Sequence, residues 1–248
     1  LIIIKSNKEI ELMRQAGQIV AETLLYISGM IKPGITTGQL DSLAKKFIDK
    51  KNGKPAFLGY RGFPANICTS INHEVVHGIP GLRRLIEGDI ISIDVGVSYK
   101  GYFGDAACTF PVGEVSPLAK RLIDVTKDSL FRGISNAVPG KRLFDISHSI
   151  QSFVEEQGFS VVRKFVGHGI GSAMHEEPQV PNYGRPGKGA RLEEGMVLAI
   201  EPMVNTGTWE VKTLADQWTV VTKDKGLSAH FEHTVAITKN GPEILTAL

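Results

Sequence analysis

Acidic residues inside apolar, β-branched runs need a reason, because Asp and Glu are depleted in strands and rarely bury without a partner. Four such residues stand in this sequence. Asp94 follows Ile90-Ile-Ser-Ile, Asp105 lies in Tyr102-Phe-Gly-Asp-Ala-Ala, Glu201 closes Met196-Val-Leu-Ala-Ile, and Glu232 opens Glu-His-Thr-Val-Ala-Ile. His168 lies in a glycine-rich bend, Gly167-His-Gly-Ile-Gly171, just after an apolar run. Asp94 and Asp105 belong to two strand-like runs joined through Ser98-Tyr-Lys-Gly101, which predicts a β-hairpin. With its turn centred between Tyr99 and Lys100, the two acids would sit directly opposite each other, side chains on one face. Opposed carboxylates repel unless something positive lies between them, and a metal ion is the simplest remedy. Two divalent cations would cancel the four negative charges. Oxygen-rich ligation with one imidazole suits manganese, iron, cobalt or zinc better than a closed thiolate site.

Other chemistries fail on spacing. Gly167-His-Gly169-Ile-Gly171 has the wrong glycine interval for a dinucleotide loop, and Pro178 and Pro181 interrupt any helix behind it. His175-Glu-Glu-Pro-Gln179 places Gln where a second His of a zinc-protease helix would stand. The sequence holds no Gly-x-Ser-x-Gly elbow for a serine nucleophile.

The elements that must position these residues follow from periodicity. Residues 8–31 carry apolar positions at helical spacing (Ile10, Met13, Ile19, Val20, Leu24, Ile27) and meet Pro33-Gly34, which predicts a helix stopped there. Thr36-Thr37 offers an N-cap for a second helix through Leu40, Ala44 and Ile48, closed by Asn52-Gly53. Strands are predicted around Ile67–Ser70, in the hairpin, and at the end from His230 to Thr238. The order returns at an offset of 106: Leu12, Leu24, Pro33, Gly34 and Phe47 match Leu118, Leu130, Pro139, Gly140 and Phe153. Leu85-Ile-Glu-Gly-Asp-Ile-Ile-Ser-Ile-Asp94 likewise maps onto Leu192-Glu-Glu-Gly-Met-Val-Leu-Ala-Ile-Glu201, so an acid ends both strands. Two helix-helix-strand halves, about 8–105 and 115–240, predict one pseudo-twofold α/β domain over 1–248 in which Asp94 and Glu201 meet near the axis. Residues 181–191, rich in Gly, Pro and basic residues, are expected to form a surface excursion.

Composition narrows the function classes. Over 248 residues, hydrophobic content of 42% and charged content of 22% are those of a soluble globular chain. A net charge of +2 gives no support to a DNA or membrane partner. Cys68 and Cys108, in apolar surroundings, are expected to be free thiols in a reducing compartment, and the Leu-Ile-Ile-Ile-Lys5 start is too short for a signal peptide, so the cytoplasm is expected. Lack of an initial Met suggests processing or trimming.

Taken together, Asp94, Asp105, His168, Glu201 and Glu232, with Val-His77-Gly-Ile-Pro, Gly-His168-Gly-Ile-Gly and His175-Glu-Glu-Pro, resemble the type I methionine aminopeptidases of the bacterial kind. The resemblance covers nearly the whole chain. It implies the pita-bread fold, an α/β (α+β) domain built around a mixed, mostly antiparallel sheet. It also implies two divalent ions, Asp94 chelating one, His168 and Glu201 holding the other, and Asp105 and Glu232 bridging both. Glu201 would shuttle the proton, His175 would stabilise the tetrahedral oxygen, and His77 would contact the scissile amide nitrogen. Phe57, Tyr60, Phe63, Cys68, Met174 and Trp218 would line the cleft for the methionine side chain, with Phe57, Arg61 and Met174 at positions that vary in the family. The implied partners are nascent polypeptide N-termini, near the ribosome, acted on by a monomer. His73, His148, His230 and His233 match no role in the family and are expected to be structural.

Two other readings remain. A proline-directed aminopeptidase or prolidase usually carries a large N-terminal domain, whereas here a helix is expected within the first ten residues. A non-enzymatic binding protein on the same fold would be expected to have lost ligands, and all five are present.

Overall fold

The computed structural model describes residues 1–247. Four helices pack on one face of a sheet. α1 (Asn7–Ser28) and α2 (Thr37–Lys50) each begin with a capping box, Ser6 with Glu9 and Thr36 with Gln39, so the first orphan N–H groups are satisfied locally. α3 (Pro117–Ile134) starts behind Ser116 with Pro at its first position, and α4 (Leu143–Glu156) has the Asp145 carboxylate accepting from the Arg142 N–H. α1 is shorter than its periodicity predicts: it gives way at Gly29 into tighter turns, with Met30 N–H on Ile27 O and Ile31 N–H on Ser28 O.

The main sheet has nine strands among the described residues. Numbered in chain order they are β1 (Lys54–Pro55), β2 (Cys68–Ile71), β3 (Ile90–Tyr99), β4 (Tyr102–Pro111), β5 (Gly167–Gly169), β6 (Glu176–Val180), β7 (Val197–Ile200), β8 (Glu232–Thr238) and β9 (Gly241–Ile244). They lie in the order β1-β3-β4-β8-β7-β5-β6, with β2 also on β3 and β9 on β8. The sheet was expected to be mixed and mostly antiparallel, and every described pairing in it is antiparallel. The reason is that neighbours are joined as hairpins or brought together across the centre, and no strand-helix-strand crossover feeds adjacent strands.

The period of two decides which side chains face the helices. Ile91, Ile93, Val95 and Val97 of β3 are fully buried in one core with Ile19, Val20, Leu24, Leu40 and Ile48 of α1 and α2. Leu198 and Ile200 of β7 and Val235 and Ile237 of β8 are buried in a second core with Leu122, Leu130, Ile146 and Ile150 of α3 and α4. The alternate residues at the centre of the same strands therefore share the opposite face, which the helices leave free there, whereas toward the strand ends Val197 and Ala236 pack with Ile10 and Met13 of α1.

Two expectations about the hairpin are corrected here. Lys100 (φ 49°) and Gly101 (φ 85°) both adopt left-handed backbone, and Tyr99 pairs with Tyr102, as in the tight two-residue turn whose twist suits a hairpin. The register is thereby moved: Asp94 opposes Ala107, and Asp105 opposes Gly96. The two acids are diagonal neighbours on one face instead of a direct pair. Asp94 also lies mid-strand, since β3 continues to Tyr99. The predicted last strand is broken at Phe231, leaving Ser228–His230 to pair with Met203–Asn205 while β8 starts at Glu232.

Candidate metal centre and substrate cleft

The free face of the sheet carries two adjacent rows of residues. One row runs Cys68, Asp94, Ala107, Glu232 across β2, β3, β4 and β8. Glu201 directly follows β7, whose Ile200 opposes His233, and so continues that row beside Glu232. The next row on the same face contains Gly96, Asp105, Thr234, Ala199 and His168. Gly96 opposes Asp105, Thr234 opposes Ala199, and Ala199 opposes His168. Thr234 Oγ1 ties Asp105 in place, accepting from its N–H at 3.0 Å and donating to its carbonyl at 2.8 Å. The predicted bend at His168 is a short strand, β5, because its pairing with β7 and β6 satisfies the backbone there.

Side-chain geometry brings these rows to a point. His168 Nε2 lies 3.6 Å from Glu201 Oε1 and 3.8 Å from Asp105 Oδ2. His168 Nδ1 is 2.9 Å from its neighbour's carbonyl, Gly169 O, where its proton belongs, so the Nε2 lone pair is turned to the acids. Asp105, His168 and Glu232 are buried, and their ligand atoms lie within 4.8 Å of one another, as do those of Glu201, His230 and Glu232. Asp94 Oδ1, Asp105 Oδ1 and Glu232 Oε1 are buried without a hydrogen-bond partner among the described residues. Desolvation first, then the charges of neighbouring acids, raises the carboxyls of Asp105, Glu201 and Glu232 well above the usual range, and burial raises Asp94. Orphaned carboxylate oxygens around a neutral imidazole fit a divalent cation site, since only positive charge satisfies them all.

Beside the acids is a cleft of about 130 Å³, open to solvent and lined by Phe57, Tyr60, Arg61, Phe63, Cys68, His77, His175 and Trp218 along with the acids and His168. Phe57 and Phe63 meet edge to face with ring centres 6.4 Å apart, and Phe63 meets Trp218 at 5.1 Å. Met174 was expected on the wall; it is buried behind it in the same apolar cluster. The cause is Gly96: a Cβ there would come within 2.6 Å of the Phe57 ring and 2.9 Å of Met174 Cε, so the missing side chain makes room for both.

Two histidines face this cleft. His175 stacks on Tyr60, takes a 2.8 Å hydrogen bond between its Nδ1 and Tyr60 Oη, and lies with its ring centre 4.1 Å from that of His168. Burial and then the nearby Arg61 charge depress it to about 4. His77 packs edge-on against Phe165 and Trp218 and is depressed to about 4 by burial, then by His175. Its φ of 60° is strained for a non-glycine residue, a cost that surrounding structure must impose.

Sequence reasoning missed several members. His230, expected to be merely structural, reaches the acids: its Nε2 is 3.9 Å from Glu201 Oε2 and 3.9 Å from Glu232 Oε2. Asn182, in the supposed surface excursion, is buried and donates from Nδ2 to Glu201 O at 3.0 Å. Gly96 and Thr234 carry no local pattern at all; only strand register assigns them. His233 turns the other way, Nδ1 on Thr246 Oγ1, and His148 rides on α4.

The whole-chain comparisons agree with this geometry. Residues 11–239 match the model of metallopeptidase family M24. The methionine aminopeptidase of Clostridium acetobutylicum is 62% identical over 99% of both chains. The crystal structure of methionine aminopeptidase from Rickettsia prowazekii, 48% identical, superposes with a TM-score of 0.98 over 99% of this chain and 100% of that one. Prolidase from Pyrococcus furiosus shares the pita-bread fold at TM-score 0.82, with 24% identity and 66% of its length covered. An antiparallel sheet with its acids in two rows, matched from end to end at this identity, assigns the family: the chain belongs to metallopeptidase family M24.

Proposed function

We propose that this protein removes the N-terminal methionine from polypeptides when the second residue is small. The observation that carries the reading is the join between an apolar cleft and a row of orphaned carboxylates: a side chain in the cleft leaves its own peptide bond beside the acids. Phe57, Tyr60, Phe63, Cys68 and Trp218 can hold an unbranched thioether and gain contact with its sulfur. Two divalent ions held by Asp94, Asp105, His168, Glu201 and Glu232 supply the Lewis acidity that polarises an amide carbonyl and makes water a nucleophile at neutral pH.

The chain's own groups manage protons and position. Tyr60 Oη donates to His175 Nδ1, so the neutral imidazole presents Nε2–H as a donor to the oxygen on which negative charge develops. Glu201 takes the proton from the attacking water and returns it to the departing amine. His77 holds the amide nitrogen. A long second side chain would crowd His77 and the metal site and move the carbonyl, and a misplacement of about 1 Å costs roughly 10²-fold.

Polypeptide N-termini as substrates, a monomeric state and the cytoplasm belong to the same reading. Cys68 and Cys108 are both free, as a reducing compartment requires, and no helix is long and apolar enough to cross a membrane among the described residues. Rates on Met-Ala-Ser, Met-Leu-Ser, Leu-Ala-Ser and N-acetylated Met-Ala-Ser test the specificity. Met-Ala-Ser should be cleaved best by a wide margin. Equal kcat/KM on the first two, or faster cleavage of the acetylated peptide, would overturn it.

A further inference from the structure

We infer that His230 is a sixth protein ligand of the metal centre, facing Glu201 from the side opposite His168; this rests on the metal-dependent reading above. Glu201 stands between two imidazoles, with Oε1 3.6 Å from His168 Nε2 and Oε2 3.9 Å from His230 Nε2. The separation of 3.9 Å from His230 to both Glu201 and Glu232 is too long for a hydrogen bond, which closes near ~3.2 Å. It suits donors that share an ion: with bonds of about 2.1 Å, two ligand atoms lie about 3.0 Å apart at a right angle and about 4.2 Å apart when opposed.

Burial makes the alternative costly. His230 is 2% exposed, and its Nε2 has no hydrogen-bond partner among the described residues, so a polar atom aimed at two carboxylates would be left unsatisfied. Its backbone is fixed from both sides: the His230 N–H donates to Thr109 Oγ1 at 2.9 Å, Thr109 Oγ1 donates to His230 O at 2.8 Å, and Met203 pairs across from it. The break at Phe231 serves the same end. Along an unbroken strand, residues 230 and 232 would lie two apart along the edge of one face; the kink lets both converge on Glu201.

Metal-free wild type, His230→Gln and His230→Ala would be titrated with Co(II), followed by calorimetry and by the visible absorption of the bound ion. Melting of the metal-free forms identifies which variant is folded, and the folded one is compared. Loss of a nitrogen ligand should shift the Co(II) absorption bands and weaken one binding step by more than ~10²-fold, beyond the ~10–100-fold loss for a residue that only hydrogen-bonds a ligand. An unchanged Co(II) spectrum, or a smaller loss of affinity, would overturn the assignment whatever happens to activity. A wild-type chain that takes up no Co(II) would overturn the proposed function as well, which keeps the two failures apart.

Discussion

His175 has one ring nitrogen committed to Tyr60 Oη and the other left for the substrate. Its burial is incomplete and it is the side chain of the group that a solvent-open cleft exposes, so removing it leaves the buried acids untouched. His175→Ala should therefore keep cation content and lower kcat by roughly 10²-fold, the usual scale for a lost oxyanion donor. Metal analysis beside steady-state rates checks this, and metal lost together with activity would make His175 a ligand. Gly96 acts through what it lacks. In Gly96→Val the added carbons would push against Phe57 and Met174 Cε, and the wall would close into the methionine cleft. KM for Met-Ala-Ser should rise about tenfold or more, with Co(II) binding preserved because Gly96 bears no ligand; a KM within twofold of wild type would contradict the assignment of the wall.

At the scale of elements, the turn that carries Met174 and His175 is held by the N-terminal segment. Lys5 Nζ meets Glu176 Oε2 at 2.5 Å with both side chains at most 5% exposed, while the Lys5 N–H donates to Gly195 O just before β7. One residue thus fastens the His175 turn to the strand that leads to Glu201. Breaking a buried pair by deleting one partner leaves an uncompensated charge, and a loss of about 3–5 kcal/mol is expected for Lys5→Ala. Chemical denaturation of Lys5→Ala and of Lys5→Ala/Glu176→Gln reads it out. The double variant should recover part of the loss, because the stranded carboxylate is then gone. If both fall equally, the ion pair is not the source.

For the whole molecule, the site sets a conflict between folding and function. Four carboxyls gather in a largely buried cluster at the floor of the cleft, and without a metal ion bound, protons are what can compensate their charge. Their folded pKa values stand above the unfolded ones, so between about pH 4 and the raised values the native state binds more protons than the unfolded state, and stability falls as pH rises. The imidazoles of His77, His168 and His230, depressed to about 3–4 by burial, act in the opposite sense, losing stability as pH falls below about 6.5. Above pH 6.5 the imidazoles are neutral in both states and only the carboxyls count. Metal-free protein should accordingly lose Tm steadily from pH 6.5 upward. Saturating Mn(II) or Co(II) should raise Tm and flatten that dependence, since an ion that binds only the native state stabilises it. Calorimetric melts with and without chelator decide it; a metal-free Tm that rises over this range would count against the buried acid cluster.

The sequence alone determined what depends on residue type and local period. Acids inside β-branched runs named Asp94, Asp105, Glu201 and Glu232, helical spacing placed α1 and α2 within a few residues, and the 106-residue repeat brought a second pair of helices and a second half into view. What it left undecided were the contacts made through strand register and chain breaks. Asp94 and Asp105 became diagonal because Lys100 and Gly101 took the two left-handed turn positions, a choice local propensity leaves open between neighbouring dipeptides. His230 looked like a core histidine because its partners are Thr109, Glu201 and Met203, far away in the chain, and the kink at Phe231 has no periodic signature. Asn182 and Lys5 were hidden for the same reason: a hydrogen bond or ion pair across long sequence distance leaves no mark on either segment until the sheet brings the two together.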